Sequence, residues 1–227
     1  MLFRSKSKTL DNNESVNDQF NWPNRKALCG CDLPQVLAIA FNYVVPKPTP
    51  NRFVRALVGG WTLSGTLQYQ NGGLIGVPGS QNNLSTLLFR GTLMNRVPGV
   101  PLYTQDPNSH IDPNKVFLLN PAAWTDAPAG QWGFGAPYYS DYRGRRGPGE
   151  NASLGRIFHI WEKTSLELRG EFFNIFNRIG VPGPSSGNPL QTQLYTAAGV
   201  PQSGFGYMNA TSGSGGRNGQ VVLRAVF

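Results

Sequence analysis

Glu167, Arg169 and Glu171 place two carboxylates and a cation at two-residue spacing. On a strand those carboxylates stand about 13 Å apart, too far for a paired acid–base mechanism. Arg169 between them makes a charge-neutralised ladder on a wet face. Cys29-Gly30-Cys31 holds both cysteines of the chain, too few for a disulfide scaffold or a zinc site. A disulfide at this spacing is strained, so a redox or metal role and a bridge to another part of a longer protein both stay open. His110 and His159 stand alone and read as polar loop or strand residues rather than ligands. No phosphate loop or His-Glu-x-x-His is present, and catalytic chemistry finds little support. No catalytic residue, metal site or cofactor is expected. Trp124, Trp132, Tyr138, Tyr139 and Tyr142 form an aromatic loop that either stacks on a ligand or packs on itself.

The elements that would carry these residues are strands. Only 14% of the 227 residues are charged, and Gly (28) and Pro (18) supply about a fifth of the chain, a composition that fits turn-rich β structure better than helices. The formal charge of +8 suits phosphate-rich partners such as nucleic acid or lipopolysaccharide, but such a balance is common without any such partner, and no nucleic acid is expected. No run of 18 apolar residues exists, so no transmembrane helix is expected. Met1-Leu2-Phe3-Arg4-Ser5-Lys6 has no apolar core of a signal peptide. The chain is then either cytoplasmic or part of a longer exported protein.

Residues 1–31 read as a polar loop or tail. Beyond them the chain alternates in five places, near 33–46, 60–75, 151–161, 165–177 and 218–227. Trp61, Leu63 and Leu67 share one face of their strand, and Thr62, Ser64, Thr66 and Gln68 the other. Leu168, Phe172 and Phe176 oppose Glu167, Arg169 and Glu171 in the same way. Val221, Leu223, Ala225 and Phe227 face away from Arg224. A helix would scatter the charges around its circumference, whereas a strand gathers them on one side. Long stretches at about 78–149 and 179–217 alternate with short turns such as Glu162-Lys163-Thr164. Ten residues at about 3.3 Å, tilted about 40°, span roughly 25 Å, the height of an outer-membrane apolar band. A soluble sandwich explains the alternation equally well, but not the asymmetry of the loops. The fold expected is all-β, an antiparallel transmembrane β-barrel segment with long extracellular loops.

Several motifs occur in a fixed order. They are Asp32-Leu33-Pro34-Gln35 leading to Asn42-Tyr43-Val44-Val45-Pro46, then Gly59-Gly60-Trp61-Thr62-Leu63-Ser64-Gly65, then Leu119-Asn120-Pro121-Ala122-Ala123-Trp124. Arg146-Gly147-Pro148-Gly149, Arg169-Gly170-Glu171-Phe172-Phe173-Asn174-Ile175-Phe176-Asn177 and the ending Gln220 to Phe227 follow. Together, across about residues 27–227, they resemble Oar-like TonB-dependent outer-membrane receptors. Pro34, Gln35 and Val36 depart from the basic residues and His usual there.

The resemblance implies that residues 32–227 are the C-terminal part of a barrel of about 22 strands, in the bacterial outer membrane, whose function is energised uptake of an unidentified solute. It implies a lumen face of Thr62, Ser64, Thr66, Gln68, Glu167, Arg169, Glu171 and Arg224. Trp61, Leu63, Leu67, Leu168, Phe172, Phe176 and Leu223 would face lipid. Val221, Leu223, Ala225 and Phe227 would form the signal read by the barrel-assembly machinery. The partners implied are outer-membrane lipid, that machinery, the solute, and the TonB energising complex acting through upstream regions. The alternatives are a secreted β-sandwich that binds carbohydrate through the aromatic loop, or a non-functional truncated barrel fragment.

Overall fold

The computed structural model describes residues 6–8, 26–46, 51, 53–54, 58–88, 91–161, 164–213 and 215–227. In chain order the strands are β1 (Lys6–Lys8), β2 (Lys26–Leu28), β3 (Val36–Val44), β4 (Trp61–Gln70), β5 (Asn95–Arg96) and β6 (Trp124–Thr125). β7 (Gly149–Trp161), β8 (Thr164–Phe173), β9 (Leu194–Tyr195), β10 (Pro201–Ser203) and β11 (Asn218–Val226) follow. One five-residue helix, Leu84–Leu88, stands among them. No helix among the described residues is long and apolar enough to cross a membrane. That says nothing of strands.

Two compact units result. The first comprises Val36–Gln70, Gly147–Gly180 and Ser214–Phe227 and is built on one antiparallel sheet of order β11-β8-β7-β4-β3. All five expected strands are present, although β4 ends at Gln70 rather than at 75 and Ile75 joins the loop core instead, and each pairs with its neighbour along the chain. β3 and β4 pair from Val36–Gln70 to Val44–Thr62, and β8 and β11 from Phe173–Asn218 to Ser165–Val226. The β7–β8 hairpin closes at Trp161–Thr164 after a register shift beyond His159. The expected turn Glu162-Lys163 lies outside the described residues. The connections at this end are residues 45–60 and 162–163, and those at the other are the much longer 71–148 and 174–217, the asymmetry that outer-membrane barrels show.

Close approach holds two strands together at Gly65. A Cβ there would lie 2.6 Å from the Phe41 ring and 2.8 Å from the Asn151 carbonyl oxygen. Gly65 opposes Phe41 in the ladder, so the ring covers the bare glycine backbone. β8 stops at Phe173 because Asn174 takes φ 53, a left-handed value that asparagine tolerates. The expected strand to residue 177 is therefore too long. Phe176 belongs to a turn closed by the Asn177 N–H donating to the Asn174 carbonyl at 2.8 Å. It is not carried on the apolar face by strand alternation.

The second unit draws on Met1–Gln35, Asn71–Arg146 and Val181–Gly213. The sequence reads most of this as irregular loop, yet it has its own core. Ile75, Met94, Leu118, Leu119, Trp124, Tyr142, Phe205 and Met208 are buried together. Each large apolar side chain so buried contributes about 1.5–3 kcal/mol, enough to order segments with little regular structure. β1–β2, β5–β6 and β9–β10 are short antiparallel pairs within it. The first of these pairs gives structure to part of the expected tail, 1–31. Cys29 and Cys31 are joined to each other by a disulfide.

Candidate functional site

The sheet has two chemically distinct faces, and ladder register decides which residues share them, because directly opposed residues point the same way. Thr62, Gly155, Arg169 and Val222 form one row. Asn42, Ser64, Ser153, Glu171 and Gln220 form the next but one. Thr66 stands opposite Asn151, Gln68 opposite Gly149, and Glu167 opposite both Ile157 and Arg224. Thr62, Ser64, Thr66, Gln68, Glu167, Arg169, Glu171 and Arg224 therefore lie on one side.

Charges on this side are compensated locally. Arg169 lies 2.9 Å from Glu171 and 3.5 Å from Glu167, and the Gln220 amide donates to Glu171. Ser64 donates to Asn42 at 3.4 Å, and Asn151 to Thr66 at 3.4 Å. Asn42, Asn151, Ser153 and Gln220 extend the polar face beyond the residues singled out from sequence. Alternation along their own strands is the sequence signal that groups them with this face. Solvent reaches these pairs, so each contributes about 0–1 kcal/mol. Their effect is to keep this face wet at little net charge.

The other side is apolar. Trp61, Arg156, Leu168 and Leu223 form one row, and Tyr43, Leu63, Leu154, Gly170 and Val221 another. Phe41, Gly65, Ala152, Phe172 and Gly219 form a third, and Leu67 lies beside Ile39. Ala225 joins this face opposite Leu166, whereas Phe227 follows the end of β11 and is 90% exposed. Leu63, Phe172 and Leu223 are exposed too. So large an uncovered apolar surface needs a non-aqueous partner.

Two charges interrupt the apolar rows. Arg156 lies over the rings of Phe158 at 4.7 Å and Trp61 at 5.9 Å, which offsets part of its desolvation. Glu150, opposite Leu67, is fully buried and receives the Arg178 Nε at 2.9 Å. Sequence reasoning missed this second pair because its members are far apart in the chain.

In the second unit, Trp124 and Tyr142 are core residues with ring centroids 5.3 Å apart. Tyr139 packs on Trp124 at 6.2 Å, while Trp132, Tyr138 and Tyr139 are half-buried. Trp124 and Tyr142 thus offer little surface to a ligand, and their packing builds the loop core. Burial raises the Tyr142 phenol pKa and pushes that of Tyr103 up to about 12. No group of three or more His, Cys, Asp or Glu side chains fit to hold a metal ion occurs among the described residues.

A sheet with one bare apolar face, one wet face of neutralised charge, and long connections at a single end has the make-up of an outer-membrane β-barrel wall. Residues 3–220 match the family model described as an outer membrane beta barrel domain, and the chain belongs to that family. Its place is the bacterial outer membrane. No curated protein and no solved structure matches the chain. Membership in this family speaks for the barrel and against the secreted sandwich.

Proposed function

We propose that the chain forms the C-terminal barrel portion of a TonB-dependent outer-membrane receptor that takes up a scarce solute with energy from the periplasm. The observation that carries this reading is the ordered run of motifs similar to Oar-like receptors, from Asp32-Leu33-Pro34-Gln35 to the Gln220–Phe227 strand. The wet face of Thr62, Ser64, Thr66 and Gln68 supports it, since uncharged polar side chains line a water-filled lumen without binding ions tightly. The large loop unit supports it as well, because loops on a rigid scaffold are where ligands are engaged. The reading assigns no catalytic step to any residue. Its partners are lipid on the Leu168 face, the barrel-assembly machinery on the final strand, and the TonB complex through regions upstream.

In-cell crosslinking of the full-length protein tests this reading. A TonB adduct, with uptake that stops when the proton gradient is collapsed, is the expected result. Uptake that continues without the gradient, and no adduct, would make the protein a passive pore.

A further inference from the structure

The loop unit contains an open cavity of about 200 Å³. At roughly 30 Å³ per water this is the space of about seven waters, or one monosaccharide-sized solute. The charges of its floor are paired within the protein. Arg143 turns its guanidinium into the protein, donating from Nε to the Ser140 carbonyl and from Nη1 to the Asp32 carbonyl, each at 2.8 Å. Its Nη2 pairs with the Asp32 carboxylate at 2.5 Å. The Tyr103 hydroxyl donates to the Arg143 carbonyl at 2.8 Å. Asp141 is gripped by both terminal nitrogens of Arg96, at 3.1 and 2.8 Å.

The wall is different. Arg146 lines the same cavity, and no carboxylate lies within ion-pair distance of its guanidinium among the described residues. Its backbone N–H donates to Asn108 Oδ1 at 3.3 Å. That leaves the Asn108 amide nitrogen as a donor on the cavity wall. The Asn71 side-chain amide, also in the lining, makes no hydrogen bond to any described residue. The cavity therefore carries one uncompensated positive charge and two spare amide donors over a floor whose own charges cancel. Arg146 and Asn108 are exposed, so a solute arriving from water reaches them, and an oxyanion can accept from all three groups and pair with the guanidinium.

We infer that this cavity binds the carboxylate or phosphate of a small solute, with Arg146 as the primary anchor and Asn71 and Asn108 as secondary donors. The inference deepens the proposed uptake function by naming the class of solute, and it rests on that reading only for its biological purpose. Binding is measured by calorimetry on the full-length protein purified from outer membranes, with glucuronate, glucose 6-phosphate and uncharged glucose as probes. At least one acidic sugar should bind tenfold or more tightly than glucose, and which one binds separates a carboxylate from a phosphate ligand. Arg146→Gln should lose that preference, and Asn108→Asp should weaken binding further by adding negative charge. Near-ultraviolet circular dichroism from the Trp124–Tyr142 core would show that both variants keep the loop fold. Equal affinity for all three sugars, or unchanged affinity in folded Arg146→Gln, would overturn the inference. Retained binding with no energised uptake would instead remove the transport reading and leave the anion site standing.

Discussion

Leu168→Arg tests the face assignment with the largest expected effect. Leu168 is the fifth of ten residues in β8, and its register neighbours are Leu223 on one side and Arg156 on the other. A cation at a lipid-facing midplane position costs roughly 2–4 kcal/mol. Here the new guanidinium would also sit beside Arg156. At about 5.5 Å and an effective dielectric of about 20, that repulsion adds up to about 3 kcal/mol. Such a total is comparable with the whole stability of many domains. Glu167→Gln, one residue earlier, points to the wet face. It removes a 3.5 Å contact but leaves the 2.9 Å pair between Arg169 and Glu171, so about 0–1 kcal/mol is expected. Denaturant unfolding of the full-length protein in lipid bilayers, with outer-membrane abundance alongside, measures both variants. Equal losses, or a larger loss for Glu167→Gln, would refute the assignment. A register displaced by one residue would exchange the two faces in that way.

Further expectations follow from single contacts. Arg178→Gln strands the buried Glu150 carboxylate and should cost about 1–3 kcal/mol, less than a fully buried pair because solvent reaches Arg178. Adding Glu150→Gln should recover part of that loss in the same unfolding assay. Gly65→Ala drives a Cβ against the Asn151 carbonyl at 2.8 Å and should destabilise by about 1–3 kcal/mol. Gly170→Ala, whose nearest neighbour is 3.8 Å away, should be close to neutral. Tyr103 should ionise near pH 12 in the folded protein against about 10 when unfolded. The folded state then holds the extra proton, so this contribution to stability is complete below about pH 10 and is lost as pH rises through about 12. Phenolate absorbance during alkaline titration would show it, and ionisation near pH 10 in the folded state would contradict it.

The five long strands were legible because a period of two survives in residues such as Thr62 to Gln68 and Glu167 to Glu171, where each face has one kind of chemistry. Their ends were less so. Phe176 continues the apolar spacing, but a left-handed Asn174 stops the strand before it, and a backbone angle leaves no periodic trace. The loop core was hidden for a different reason. Ile75, Leu118, Tyr142 and Phe205 meet from widely separated segments, and single apolar residues among Gly and Pro carry no period that would group them. The run Arg143-Gly144-Arg145-Arg146 stands in the sequence as a cluster of positive charge. Only the three-dimensional arrangement separates Arg143, committed to Asp32, from Arg146, which forms no ion pair with any described residue. Glu150 lies just before the expected strand at 151–161, and only the register sets it opposite Leu67.

Spin labels placed singly along β4 and β8 of the full-length protein in lipid bilayers test the central claim most directly. Accessibility to oxygen, which concentrates in hydrocarbon, should peak at Leu63, Leu67, Leu168 and Phe172. Accessibility to a water-soluble nickel chelate should peak at Thr62, Ser64, Thr66, Glu167, Arg169 and Glu171. The two signals should alternate with a period of two residues and opposite phase. High nickel accessibility on both faces would describe a sheet standing in water, and would contradict a wall that separates lipid from lumen.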